Sequence, residues 1–86
     1  MYQEANTYID IGFAVRQKMS EQDISIAWLA RRVNCDRSNL GKQLQNKHIY
    51  PELLLKISVA LKTNFFELYS LYCQHLFENK EDNAMR

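Results

Sequence analysis

The sequence predicts an all-α fold, a compact bundle of five helices, and three observations point to it. Only two glycines and one proline interrupt 86 residues, which suits helices joined by short turns. Apolar residues recur three and four apart in successive stretches instead of alternating, the spacing of one helical face. Residues that cap helices stand directly ahead of these stretches. With 47% hydrophobic and 24% charged residues, the chain can bury a core and is globular rather than disordered. A single domain over residues 1–86 is expected, its core at about 8–77 and a frayed tail over 78–86, because domains usually run to about 100–150 residues.

The first helix is predicted over residues 8–21, capped by Asn6 or Thr7, with Ile11, Val15 and Met19 sharing a face. The second, over 26–33, opens at Ser25, whose hydroxyl can accept from an amide two or three residues on. Its inward residues are Leu29, Ala30 and Val33, with Trp28 at the edge of the core. Asn34 tolerates the left-handed backbone that ends a helix. A turn of Asn34, Cys35 and Asp36 leads to a third helix over 37–45, with Asp36 as cap and Leu40 and Leu44 inward. Asn46 ends it. Pro51 is suited to the first turn of a fourth helix over 51–61, where Leu54, Ile57, Ser58 and Leu61 are expected to be buried. Asn64 caps a fifth over 65–77.

A short apolar-faced helix, a three-residue turn and a second helix with a polar outer face constitute a helix-turn-helix. Charge gathers there. From Arg31 to Lys47 five cations (Arg31, Arg32, Arg37, Lys42 and Lys47) stand against one acid, Asp36, a net +4 in a chain of net +1. Such clustering is an electrostatic footprint for phosphates, and equally the pattern of a solvated helix face.

The ordered run Ile11-Gly12, Val15-Arg16, Ile24-Ser25, Leu29-Ala30, Val33 to Leu40, Leu54 to Ser58 and Ala60-Leu61 resembles the phage Cro/repressor family of bacterial transcription regulators over about residues 11–70. It is similar in particular to a compact branch with a Phe-Phe-containing fifth helix. The resemblance implies a lambda-repressor-like DNA-binding bundle in which the third helix enters the major groove of double-stranded DNA and the second lies across the phosphate backbone. The family's base-reading positions then fall on Arg37, Ser38, Asn39 and Lys42. Arg pairs bidentately with guanine, Asn with adenine, and Ser with either. Phosphate contacts fall on the start of the second helix, Ser25 and Ile26, and on Lys47 and His48 in the loop. Gly41 is expected to let the backbone approach DNA closely, at a helix cost of roughly 1 kcal/mol. Arg31 and Arg32 add long-range attraction or are simply solvated.

Three departures from the family pattern stand out. Ile26 replaces the usual Gln, so a phosphate contact there must come from the backbone amide. Met19 and Leu44 replace an Arg–Glu pair, and packed apolar groups in place of a buried ion pair are often neutral or stabilising. Turn positions where Gly is usual carry Asp23, Asn34 and Asn46, types that best tolerate left-handed geometry.

The fifth helix is aromatic on more than one stripe. Phe65, Tyr69, Tyr72 and Leu76 form one; Phe66, Cys73 and Phe77 form its neighbour. One can pack on the first and fourth helices. The other, if uncovered, marks a partner surface, and a two-fold homodimer through Phe66, Tyr69, Tyr72, Cys73, Leu76 and Phe77 is expected. Alternatively, both stripes are core.

Cys35 and Cys73 form no metal pattern or disulfide framework, and each is expected as a buried thiol in a reducing cytoplasm. His48 and His75 lack ligands at metal spacing. No catalytic grouping or Gly-rich phosphate loop is present, so no enzyme, cofactor, metal or small-molecule substrate is expected. No apolar run approaches the ~20 residues of a membrane span or resembles a signal peptide. Two rivals to DNA reading remain: a protein-interaction or antitoxin-like adaptor on the same scaffold, and non-specific nucleic-acid binding.

Overall fold

The structure, a computed structural model, describes residues 9–84, with the side chains of residues 9–78. Its elements are α1 (Ile11–Gln22), α2 (Ile26–Arg32), α3 (Arg37–Gln43), α4 (Pro51–Leu61) and α5 (Phe66–Ala84), and there is no strand among the described residues. The all-α expectation holds.

The α1 helix begins later than its periodicity suggested. Asn6, Thr7 and Tyr8 lie outside the described residues; the cap is Asp10, whose Oδ1 accepts from the Phe13 amide at 3.1 Å. The start is set from outside the helix. Ile11 N donates to the Lys47 carbonyl at 2.7 Å and Gly12 N to that of Asn46 at 3.0 Å. These two first-turn amides, which an isolated helix leaves unpaired, are satisfied by the loop after α3.

Caps on the short central helices are local, as the sequence indicated. Ser25 Oγ accepts from Trp28 N at 3.1 Å, and Asp36 Oδ2 from Asn39 N at 3.0 Å. Each of these helices has 7 residues, well below the ~12–15 that give a marginally stable isolated helix. Tertiary burial holds them: Leu29 and Leu40 are fully enclosed, with Ala30, Val33 and Leu44 beside them. A fully buried Leu is worth about 1.5–3 kcal/mol.

Turn geometry agrees at two positions and differs at two. Asp23 (φ 59°) and Asn34 (φ 57°) are left-handed, but Asn46 is not; the third such residue is Lys62 (φ 54°). Asn46 needs no helix-ending reversal, because its carbonyl is taken by Gly12. Lys62 is forced round by the contacts of residues 63–65. Thr63 N returns to Ser58 O at 3.0 Å, Phe65 N reaches Ser58 Oγ at 3.3 Å, and the Phe65 ring enters the core.

The α4 helix buries Leu54, Ile57, Ser58 and Leu61 as expected, together with Leu53. Helix α5 is capped by Asn64, whose Oδ1 accepts from Phe66 N at 3.0 Å. It continues to Ala84, so residues 78–84 extend the helix where a frayed tail was expected. That stretch contains no Gly or Pro and includes Glu, Lys and Ala, which propagate helices well. Residues 85–86 lie outside the described part. No helix among the described residues is long and apolar enough to cross a membrane.

Both cysteines are free, but neither is buried: Cys35 is half-buried at the α2–α3 turn and Cys73 is exposed. The exposure of Cys73 follows from its place on α5, outside the cluster formed by α1 to α4.

Candidate nucleic-acid interface

The α2–α3 pair is a helix-turn-helix fixed by backbone bonds. Cys35 N donates to Ala30 O at 2.9 Å across the turn, and Asn34 N to Arg31 O at 3.3 Å. With Leu40 fully buried beneath it, the opposite side of α3 must face solvent. Arg37, Ser38, Asn39 and Lys42 are all exposed, so all four base-reading candidates are open to solvent. Lys47 and His48 are exposed in the following loop, and Ser25 is exposed at the start of α2.

Charge on this surface is not neutralised from within. Among the described residues the ion pair present is Lys18–Glu21 at 3.1 Å, on α1. Asp36 spends a carboxylate oxygen on its helix amide. Arg37, Lys42 and Lys47 therefore present their charges to whatever lies outside, as phosphate neutralisation requires.

Individual positions differ from expectation in instructive ways. The Asn39 side chain turns back, its Nδ2 donating to Cys35 Sγ at 3.8 Å, so it must swing outward to pair with a base. The side-chain direction at Gly41 faces α2. A Cβ built there points at Ile26 Cδ1, 3.5 Å away, so the absent side chain is directed at α2. The backbone at Gly41 is not in the left-handed region and the contact is ordinary. Gly41→Ala is therefore expected to stabilise the fold by up to about 1 kcal/mol. Chemical denaturation tests this, and a loss of stability would contradict the inward assignment.

Ile26 itself is half-buried and packed on the core, which leaves its backbone amide as the polar group to offer. Arg32 and Arg31 are both exposed, but Arg32 is held, its guanidinium 4.7 Å from the Trp28 ring centroid in cation–π geometry. Trp28 covers the core edge as expected. In place of the family's Arg–Glu pair, Met19 and Leu44 are both buried. Arg16 Nε donates to the Leu44 carbonyl at 3.0 Å, so an arginine of α1 still holds the end of α3 through backbone.

His48 is tied to α5. Its Nδ1 shares a 2.6 Å hydrogen bond with the Tyr69 hydroxyl, and the two rings stack with centroids 5.7 Å apart. With Nδ1 unprotonated the phenol is the donor. Sequence reasoning placed both residues in functional sets but had no signal for this pairing, which spans 21 positions. Burial raises the Tyr69 pKa above its ordinary value. A phenol so raised holds its proton more tightly when folded, so its contribution is complete below about pH 10 and is lost as pH rises through the raised value. Tyr69→Phe is expected to make the decline of stability above about pH 10 shallower than in the wild type. Urea midpoints at increasing pH measure it, and an unchanged slope would exclude the burial effect.

On α5 the expected dimer residues divide. Phe66, Tyr69 and Tyr72 are half-buried against the core, and Leu76 is also half-buried. Cys73 and Phe77 are exposed, and so is Leu71, which neither expected stripe included. Among the described residues no group of three or more His, Cys, Asp or Glu side chains is placed to hold a metal.

Capped short helices, a buried seam between them and an unneutralised cationic outer face define a helix-turn-helix DNA-binding domain. The sequence pattern of the Cro/C1-type HTH DNA-binding domain family matches residues 14–74, and the chain belongs to that family. The matched region takes in the whole of α2, α3 and α4. No curated protein and no solved structure matches the chain.

Proposed function

We propose that the protein is a sequence-specific DNA-binding regulator of transcription, a repressor that works in the cytoplasm as a homodimer with α3 in the major groove. The observation that carries this reading is the outer face of α3, where Arg37, Ser38, Asn39 and Lys42 are exposed on a helix whose other side is locked by Leu40. Arg37 and Lys42 donate to guanine, Asn39 pairs with adenine once released from Cys35, and Ser38 serves either. Ser25, the Ile26 amide, Lys47 and His48 hold phosphates and set the register. The domain that does this spans about residues 8–77, and repression follows from occupancy of the promoter. Dimerisation through α5 would present two recognition helices about 34 Å apart, one per half-site.

Duplex selected from a random pool, compared with random duplex at two salt concentrations, tests the reading. Specific binding should survive salt that abolishes the non-specific kind. A second reading, a protein-interaction adaptor, is favoured by the apolar Ile26 at the start of α2 and by exposed Leu71 and Phe77. It predicts no duplex binding at either salt concentration.

A further inference from the structure

A feature between α2 and α4 lies outside the set of residues assigned to DNA contact. On the outer side of α4, Leu55 and Val59 are 56% and 69% exposed, one helical turn apart. With Ala60 they line a hollow whose remaining lining is Arg32, Lys56 and Lys62. Three cations rim it, and among the described residues no carboxylate lines it. An apolar strip with a one-signed rim is suited to a segment that is apolar and acidic.

The chain itself contains such a segment. Phe77 is 60% exposed on α5, and Glu78, Glu81 and Asp82 follow it on a helix that runs to Ala84. Over residues 78–84 three acids stand against Lys80 alone. At about 1.5 Å per residue, Phe77 to Asp82 spans roughly 7–8 Å and the Leu55–Leu61 stretch of α4 roughly 9 Å, lengths of the same order. Among the described residues, none of α5 lines the hollow in its own chain.

We infer that the hollow between α2 and α4 receives the far end of α5 from a second copy of this chain, with Phe77 against Leu55 and Val59 and the acidic stretch 78–82 beside Arg32, Lys56 and Lys62. The inference rests on the homodimer reading above and specifies what α5 meets. Reciprocated about a two-fold axis, each contact is made twice and the assembly closes as a dimer.

Charge exchange tests it on the full chain by sedimentation. One variant carries Lys56→Glu and Lys62→Glu; the other carries Glu78→Lys, Glu81→Lys and Asp82→Lys. Each alone opposes like charges and should self-associate about tenfold or more weakly than the wild type. Mixed, they restore both contacts and should form a heterodimer, which also shows that each variant is folded. A wild-type dimer with both variants associating as well as it does would overturn the inference and leave the dimer reading intact. Loss of self-association that mixing does not restore overturns the inference as well. A wild type that stays monomeric at micromolar concentration overturns both. Variants with normal association but weakened duplex binding would make the hollow a phosphate surface and also overturn it.

Discussion

Gly12→Ala should destabilise the protein by about 3–5 kcal/mol, a large share of the roughly 4–13 kcal/mol that holds a chain of this size folded. A Cβ at Gly12 would fall on the carbonyl oxygens of Leu44 and Asn46, far inside van der Waals contact. Those atoms are backbone and cannot rotate aside. To make room, α1 must back away from the end of α3. It then gives up Gly12 N to Asn46 O, Ile11 N to Lys47 O and Arg16 Nε to Leu44 O. Buried polar groups left unpaired cost about 1–3 kcal/mol each, and the exposed share of these costs less. Urea denaturation gives the number, and a change below about 1 kcal/mol would mean that α1 does not need this close approach. Gly41→Ala, expected to move the opposite way, is the matched control. The loop that carries Lys47 and His48 is anchored through the same contacts, so duplex binding is expected to weaken in Gly12→Ala as well.

Arg37→Ala is the substitution expected to change recognition most. An exposed arginine in the first turn of α3, unpaired among the described residues, can make a bidentate contact to guanine worth about 1–3 kcal/mol of discrimination. The variant should lose about 10- to 100-fold preference at one base pair while binding random duplex almost as before. Lys47→Ala should instead weaken every duplex alike and flatten the dependence of log affinity on log salt by about one. Competition binding on selected and random duplexes separates the two. Equal losses on both duplexes for both variants would show that neither residue has the assigned role. Arg37→Lys refines the test, since an ammonium keeps the charge but loses the planar fork.

Much of this was legible locally. Ser25, Asp36 and Asn64 mark helix starts because capping is an exchange between a side chain and an amide two or three residues away, and Pro51 marks one because its fixed φ and missing N–H suit the first turn. Leu40 and Leu44 revealed the inner side of α3, and its exposed positions followed by elimination. What escaped was decided across distance. The Asp10 start of α1 depends on carbonyls contributed by residues 46 and 47. The left-handed Lys62 follows from Phe65 seeking the core. Gly41 looked like an accommodation to DNA until Ile26 was seen opposite it. Asn39, expected to read a base, is held back by Cys35.

The amino-acid order alone determined the five helices, the caps of the second, third and fifth, the apolar seam and the exposed cationic and amide groups of α3. Periodicity and capping are short-range properties carried by neighbours in the chain. Only the tertiary structure decided which glycine another segment's backbone approaches, how His48 and Tyr69 join the loop after α3 to α5, and which apolar residues remain outside the core. Those outcomes depend on close approach between segments tens of residues apart, where packing at van der Waals distance selects among side chains that sequence spacing leaves equivalent.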